Sequence, residues 1–238
     1  MPAAVDQVAH AMTDRRAGLP ADHLRFFLDT YERTTRAVGE AVDAGQFEDP
    51  DWVQRWDVAF AELYLAALDA SVAPRPWRLA FSAPPELPPL RHVLLGINAH
   101  VNYDLPQALL AVIGDAEFDD ADLIAARRRD HERIDGVLAA RVSAEDVALA
   151  AFGKTLLDRI LTPLNRLGSK RFLRESRQKV WHNTLELQQA RVASEAAYRT
   201  RLAELELLSA ARIADLLAPG QVILRLAVAG FGVVLPPP

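Results

Sequence analysis

Residues 49–64 read DPDWVQRWDVAFAELY, and this stretch decides the fold. Asp49 is a typical N-cap residue, and Pro50 suits the first turn of a helix, where its missing N–H has no partner to lose. Apolar side chains then recur every three or four residues, at Trp52, Val53, Trp56, Phe60, Leu63 and Tyr64. This spacing places them on one face and predicts an amphipathic helix.

The same pattern recurs along the chain in long runs rich in Ala, Leu, Arg and Glu, the residues that lose least on entering a helix. The 11 Gly and 15 Pro fall mostly between these runs. No period of 20 to 50 residues repeats, which argues against a solenoid. We therefore predict an all-α fold, a single-domain multi-helix bundle over residues 1–238. A further helix start is expected at Ser143, where SAED resembles a capping box.

A proline-rich segment covers residues 73–89 and holds six prolines together with Trp77 and Phe81. Proline removes a backbone donor, so this loop is expected to be an extended strap that is not helical throughout. Two aromatic residues favour a strap pinned to the core over a linker between domains. Trp77 and Phe81 are accordingly candidate substrate-binding residues.

Composition excludes several classes of function. The 27 Lys and Arg against 32 Asp and Glu give a net charge of −5, which disfavours nucleic acid as a partner. The chain has no Cys, so any metal must be held by His, Asp or Glu. Serine-hydrolase, P-loop, zincin and Rossmann motifs do not occur.

Two terminal segments bear on location. Asp6 interrupts the N-terminus before an apolar core forms, so no secretory signal is expected and we predict a cytoplasmic protein. The apolar stretch Val222–Leu235 contains Arg225 and is shorter than the roughly 18 residues of a transmembrane helix. We expect this C-terminal tail, residues 222–238, to pack on the protein or on a second subunit of a homodimer; the alternative is a membrane-surface contact.

Residues 90–110, LRHVLLGINAHVNYDLPQALL, carry the most informative polar groups, because they lie on a strongly apolar helix. His100 and Asp104 stand four residues apart on one face, where both could bind one divalent ion. His92 precedes them by two turns on roughly the same face. Pro106 frees the carbonyl of Asn102 and bends or ends the helix beside the pair.

His131 and Asp135 repeat this spacing, and two such pairs facing each other would resemble the dinuclear sites of helical bundles. The candidate metal ligands are His92, His100, Asp104 and His131, with Zn, Fe or Mn as the ion. The alternatives are that His100 and Asp104 hydrogen-bond only each other, and that the charged run around His131 is a solvated face.

Further candidates are polar residues on apolar stripes. Asp57 lies among aromatic residues with Tyr64 seven positions on, so it needs a metal, an Arg or a hydroxyl donor. The catalytic candidates are Asp57, Tyr64, Asn98 and Asn102. A basic run between Arg166 and Lys179 either holds an anionic group or forms a solvated helix face.

The chain resembles a large actinobacterial family of helical proteins defined by a domain of unknown function. The resemblance spans roughly residues 35–187. Its blocks are GQFEDPDWVQRWDVAFAELYLAAL, the strap ending in HVLLGINAHVNYDLPQAL, and DHERIDGVL with VWHNTLEL. The middle block carries the motif N-A-H-[IV]-N-x-D-L-P.

This resemblance implies a set of polar and aromatic family positions but brings no activity with it. They are Asp57, Tyr64, Trp77, His92, Asn98, His100, Asn102, Asp104, His131 and Trp181, of which Trp181 joins the substrate-binding candidates. The sequence departs from the family at Asp135, where Asn is expected, which weakens the dinuclear hypothesis. A fainter similarity, limited to residues 100–106, links the chain to zinc-dependent phospholipases C and single-strand nucleases.

Three functional hypotheses follow. The first is a metal-dependent enzyme that hydrolyses an ester or phosphoester with metal-activated water. The second is a metal-free helical pocket that binds, isomerises or cyclises an apolar small molecule, with Asn98, His100, Asn102 and Asp104 as polar groups. The third is a structural or partner-binding protein whose polar core is only a hydrogen-bond network.

Overall fold

The computed structural model describes residues 4–150 and 178–218, and in these ranges the chain is helical with connecting turns and no strand. The helices are α1 Ala4–Arg16, α2 Arg25–Asp43, α3 Pro50–Asp69, α4 Arg75–Phe81, α5 Pro89–Ala99, α6 Leu105–Val112, α7 Ala121–Ala150, α8 178–193 and α9 Glu195–Leu217. The predicted all-α fold is confirmed. The single-domain organisation stays a prediction.

Helix α3 begins where the sequence predicts. The side chain of Asp49 accepts a hydrogen bond from the Trp52 N–H at 2.9 Å, and Pro50 occupies the first turn. The apolar face of α3 is buried along its length, from Trp52 and Val53 at its start to Tyr64 near its end.

Two apolar clusters form most of the described core, and α2 and α3 contribute to both. The first cluster includes Leu28, Tyr64, Trp77 and Leu95. The second includes Trp52, Trp56, Leu109, Ile134 and Trp181. The Phe60 ring packs against both clusters, so α3 connects the two parts of the core.

The proline-rich strap is not helical throughout, as predicted, since residues 82–88 form turns and irregular structure. It is less extended than expected, because α4 spans Arg75–Phe81 within it. Pro74 is the N-cap residue and Pro76 lies in the first turn, two positions that need no backbone donor. No proline follows between residues 77 and 83. The prolines therefore start this helix instead of preventing it.

The predicted helix start at Ser143 is wrong, since Ser143 lies inside α7. Residues 137–150 contain no Gly or Pro that would end a helix before Ser143. A capping signal acts only where the preceding residues leave the helical conformation.

Among residues 4–150 and 178–218, no helix combines the length and the hydrophobicity needed to cross a membrane. Three sequence interpretations concern residues outside those described. They are the basic residues 166–177, the C-terminal tail and the side chain of Asp135.

Candidate functional site

A π-helical turn, His100–Asp104, joins α5 to α6. The Leu105 N–H donates to the carbonyl of His100, five residues earlier, which widens the helix by one residue in this turn. Pro106 follows and has no N–H to donate to the carbonyl of Asn102. The predicted irregularity beside His100 and Asp104 therefore takes the form of a π turn, a feature frequent at functional sites.

Within this turn a buried relay of hydrogen bonds connects Trp77, Asp104 and His100. The Trp77 indole Nε1–H donates to Asp104 Oδ2 at 2.8 Å, and His100 Nδ1 lies 2.8 Å from the same oxygen. His100 and Asp104 are each only 2% exposed. Trp77 of α4 thus holds the Asp104 carboxyl group in place, and Asp104 orients the imidazole of His100.

Aromatic rings surround the His100 imidazole. Phe60 stacks on it with ring centroids 3.5 Å apart and planes within 5°, and Tyr31 meets it edge-on at 4.4 Å. The rings of Phe27, Tyr64 and Trp77 lie within 6.0 Å. Three helices, α2, α3 and α4, supply these five rings, so the environment of His100 is largely aromatic.

Burial sets the protonation states of the relay. Burial lowers the pKa of His100, although Asp104 opposes that shift, and it raises the pKa of Asp104 against the opposing effects of His100 and Trp77. His100 is therefore neutral at pH 7. When Asp104 is ionised, its Oδ2 can only accept, so Nδ1 carries the proton and the lone pair lies on Nε2. Nε2 is buried and has no hydrogen-bond partner.

Asp57 and the Thr35 hydroxyl are buried near Tyr31, whose ring packs against this imidazole. Asp57 is buried on α3, its Oδ2 has no hydrogen-bond partner, and burial raises its pKa to about 7. On α2, the hydroxyls of Tyr31 and Thr35 are also buried without a partner. The pKa of Tyr31 is well above its usual value because of burial, with further contributions from the Asp57 and Asp104 carboxylates.

Sequence reasoning missed Tyr31 and Thr35. The available signal was their spacing, since the two polar residues stand four apart on the face of α2 that also carries Phe27, Leu28 and Val38. Local spacing does not reveal that α3 and the π turn cover this face.

The four candidate metal ligands do not come together. The His92 ring lies 4.8 Å from that of His23, and burial together with His23 lowers its pKa. His131 Nδ1 accepts from the Trp181 indole N–H at 3.1 Å, next to Trp56 in the second apolar cluster. Only His100 and Asp104 are in contact. In the described part of the chain no three His, Asp or Glu residues gather closely enough to hold a metal.

The other candidates divide between the relay and more distant positions. Asn98 donates to the Leu94 carbonyl, and Asn102 donates to Asn98, so both hydrogen-bond along their own helix. Trp181 lies with His131 in the second cluster, away from Trp77. Phe81, by contrast, stacks on Trp77 at 5.1 Å. Tyr64 packs beside Trp77 at 4.9 Å and belongs to the aromatic wall.

Comparison with known families identifies a family of unknown function, DUF5995, whose sequence model matches residues 5–219. The chain belongs to this family. No curated protein and no solved structure matches it. The actinobacterial distribution and the motif around His100 stay predictions.

Proposed function

We propose that this member of DUF5995 binds an apolar small molecule beside His100 and uses the neutral imidazole as a proton acceptor. The observation that carries the proposal is His100 Nε2, a buried lone pair without a partner, on a ring whose other nitrogen is fixed by Asp104. Leaving a buried acceptor unpaired costs about 1–3 kcal/mol, so such an atom in a native protein requires an explanation.

The relay has the features of a general base. Asp104 selects the tautomer that leaves Nε2 free, and it would stabilise the imidazolium formed when Nε2 takes a proton. The stacked Phe60 ring favours the same charged form through its π face. Trp77 keeps Asp104 in place by donating to the oxygen that His100 also contacts.

The surroundings select an apolar ligand. Five aromatic rings lie within 6.0 Å of the imidazole ring, measured between ring centroids. Phe60 is only partly buried, so rotation of its side chain would uncover one face of His100. Phe60 is thus the natural entrance for a small ring-shaped ligand.

Titration with phenol tests this proposal, because phenol combines an aromatic ring with one O–H donor. In imidazole 15N NMR spectra of the labelled protein, we expect a saturable shift of His100 Nε2. His100→Gln removes that signal and weakens phenol binding, whereas His182→Gln, an exposed histidine on α8, leaves binding unchanged. If phenol does not bind and His100→Gln only lowers stability, the hydrogen bonds among Trp77, Asp104 and His100 are purely structural.

A metal-dependent hydrolase is the second candidate, favoured by the orientation of His100. Metal-binding histidines usually donate their other ring N–H to a carboxylate, as His100 does to Asp104. Zn, Fe or Mn at Nε2 would activate water for ester or phosphoester hydrolysis. Elemental analysis of the purified protein checks this: near-stoichiometric metal, lost in both His100→Ala and Asp104→Ala, is the expected result. No metal after reconstitution would contradict it.

Cytoplasmic location and a homodimer also stay proposals. Cell fractionation and light scattering of the purified chain test them directly.

A further inference from the structure

We infer that Tyr31, Thr35 and Asp57 form a second wall of the same site, which binds a neutral hydroxyl or carbonyl oxygen of the ligand. This inference rests on the proposed function and adds the chemical class of the ligand. The three residues come from α2 and α3, whereas α4 and the π turn supply the relay.

The first argument is that three neighbouring polar atoms are buried and unpaired. Tyr31, Thr35 and Asp57 are 7%, 0% and 6% exposed, and Tyr31 OH, Thr35 Oγ1 and Asp57 Oδ2 have no hydrogen-bond partner. The Thr35 hydroxyl is near enough to influence the pKa of Tyr31, yet the two groups make no bond of acceptable geometry. Buried polar atoms are nearly always paired, so several unpaired atoms together indicate a place for a polar group.

The second argument is the position of this wall relative to His100. The Tyr31 ring lies 4.4 Å from the imidazole. Asp57 precedes Phe60 by one turn of α3, and Phe60 stacks on His100. Both Asp57 and Asp104 raise the pKa of Tyr31, which places its phenol within electrostatic range of both carboxyl groups.

Other unpaired buried atoms do not gather near His100 in this way. Trp52 and Trp56 each leave an indole N–H unpaired, but they lie in the second apolar cluster, and an indole only donates. The unpaired Nε of Arg127 belongs to a guanidinium whose terminal nitrogens already bind Asp49 and Glu117.

The donor and acceptor set selects the class of ligand. Tyr31 and Thr35 hydroxyls both donate and accept, and Asp57 carries its proton up to about pH 7 because burial disfavours the carboxylate. These three groups can donate hydrogen bonds to a ligand carbonyl oxygen. They can equally donate to a ligand hydroxyl, whose own proton is then donated to His100 Nε2. An anionic ligand would find no counter-ion among the aromatic rings and would lie near the Asp57 and Asp104 carboxyl groups, so this set favours a neutral oxygen group over an anion.

Comparison of benzene with phenol tests this inference, since the two differ only by the hydroxyl group. Dissociation constants are measured by NMR titration for the wild type, Tyr31→Phe, Thr35→Val and Asp57→Asn. We expect phenol to bind the wild type about tenfold more tightly than benzene, the equivalent of one good hydrogen bond. Tyr31→Phe and Thr35→Val narrow this preference to about threefold or less and leave benzene affinity unchanged.

Tyr103→Phe is the matched control, because Tyr103 is an equally buried tyrosine that packs with Leu187 and Leu205 instead of with His100. It should keep the full preference for phenol. Circular dichroism checks the fold of every variant, and Thr35→Val keeps the test valid even where Asp57→Asn fails to fold, since valine has nearly the shape of threonine.

The outcomes separate the two proposals. Suppose that phenol shifts the 15N signal of His100 Nε2 in every variant and that every variant keeps the wild-type preference for phenol over benzene. This result overturns the present inference but leaves the proposed function standing. In that case Tyr31, Thr35 and Asp57 hold only a structural water. If neither phenol nor benzene shifts the 15N signal of His100 in the wild type, the proposed function is overturned, and this inference with it.

Discussion

Asp57 is the residue whose burial has the clearest thermodynamic consequence. Its pKa in the folded protein is about 7, against about 3.9 in an unfolded chain, because burial disfavours the charged form. Between these two values the native state binds more protons than the unfolded state. The contribution of Asp57 to stability is therefore fully present below about pH 4 and is lost as the pH rises toward 7.

Asp57→Asn should remove this pH dependence. A shift of about 3 pKa units corresponds to about 4 kcal/mol, so the wild type should lose roughly that much stability relative to Asp57→Asn between pH 4 and pH 8. Urea unfolding at several pH values measures the difference. Glu62→Gln, at an exposed position on the same helix, should show almost none. Parallel pH curves for the wild type and Asp57→Asn would show that Asp57 ionises normally.

Trp77 should matter more for its N–H group than for its size. Trp77→Phe leaves the buried Asp104 Oδ2 without one of its two donors. Trp56→Phe is the matched control, because Trp56 is equally buried but its N–H has no partner. We expect Trp77→Phe to cost about 1–3 kcal/mol more free energy of unfolding than Trp56→Phe. Equal losses in urea unfolding would mean that the Trp77–Asp104 bond contributes nothing net.

At this scale the sequence predicts contacts within a helix better than contacts between helices. The four-residue spacing of His100 and Asp104 identified a true hydrogen bond. The same reasoning grouped His92 and His131 with them, although tertiary packing places His92 beside His23 and His131 beside Trp181. Spacing along one helix fixes which residues share a face, but the neighbouring helix decides what that face meets.

Among the helices, α2 and α5 approach each other unusually closely at Gly96. A Cβ atom added to Gly96 would lie 2.3 Å from Cγ of Phe27, whose ring forms part of the wall around His100. Gly96→Ala should therefore destabilise the protein by about 1–3 kcal/mol or more, because Phe27 can move only by disturbing that wall.

Gly136→Ala provides the opposite case for comparison. Gly136 lies in α7 with nothing within 4 Å of the added Cβ, so alanine should stabilise the helix by about 0.5–1 kcal/mol. Thermal unfolding of both variants measures the contrast. A neutral Gly96→Ala would show that α2 and α5 are farther apart in solution.

Element boundaries follow the sequence where the signal is local. Asp49 and Pro50 mark the start of α3, because the cap and the proline act through neighbouring backbone groups. The strap prediction is correct that residues 73–89 are not helical throughout and wrong that the segment is extended, because Pro74 and Pro76 stand where the start of α4 tolerates proline. The π turn depends on residues 100–106 and on the packing of Phe60 and Trp77 against them, which no local pattern specifies.

Across the whole molecule, the two apolar clusters share α2, α3 and the Phe60 ring, which should make them unfold together. Leu28 belongs to the first cluster and Leu109 to the second, and both are fully buried. Either leucine replaced by alanine should cost about 2–5 kcal/mol. If the clusters form one cooperative unit, each variant lowers a single common unfolding midpoint.

Two spectroscopic probes make this prediction decisive. Three of the four Trp residues, Trp52, Trp56 and Trp181, belong to the second cluster, so fluorescence reports mainly on that cluster. Far-UV circular dichroism reports on all helices. Leu28→Ala removes contacts only from the first cluster, yet it should shift both midpoints equally, because α3 cannot leave one cluster without disrupting the other. A fluorescence midpoint that stays unchanged in Leu28→Ala would divide the chain into two independently folding parts and contradict the predicted single domain.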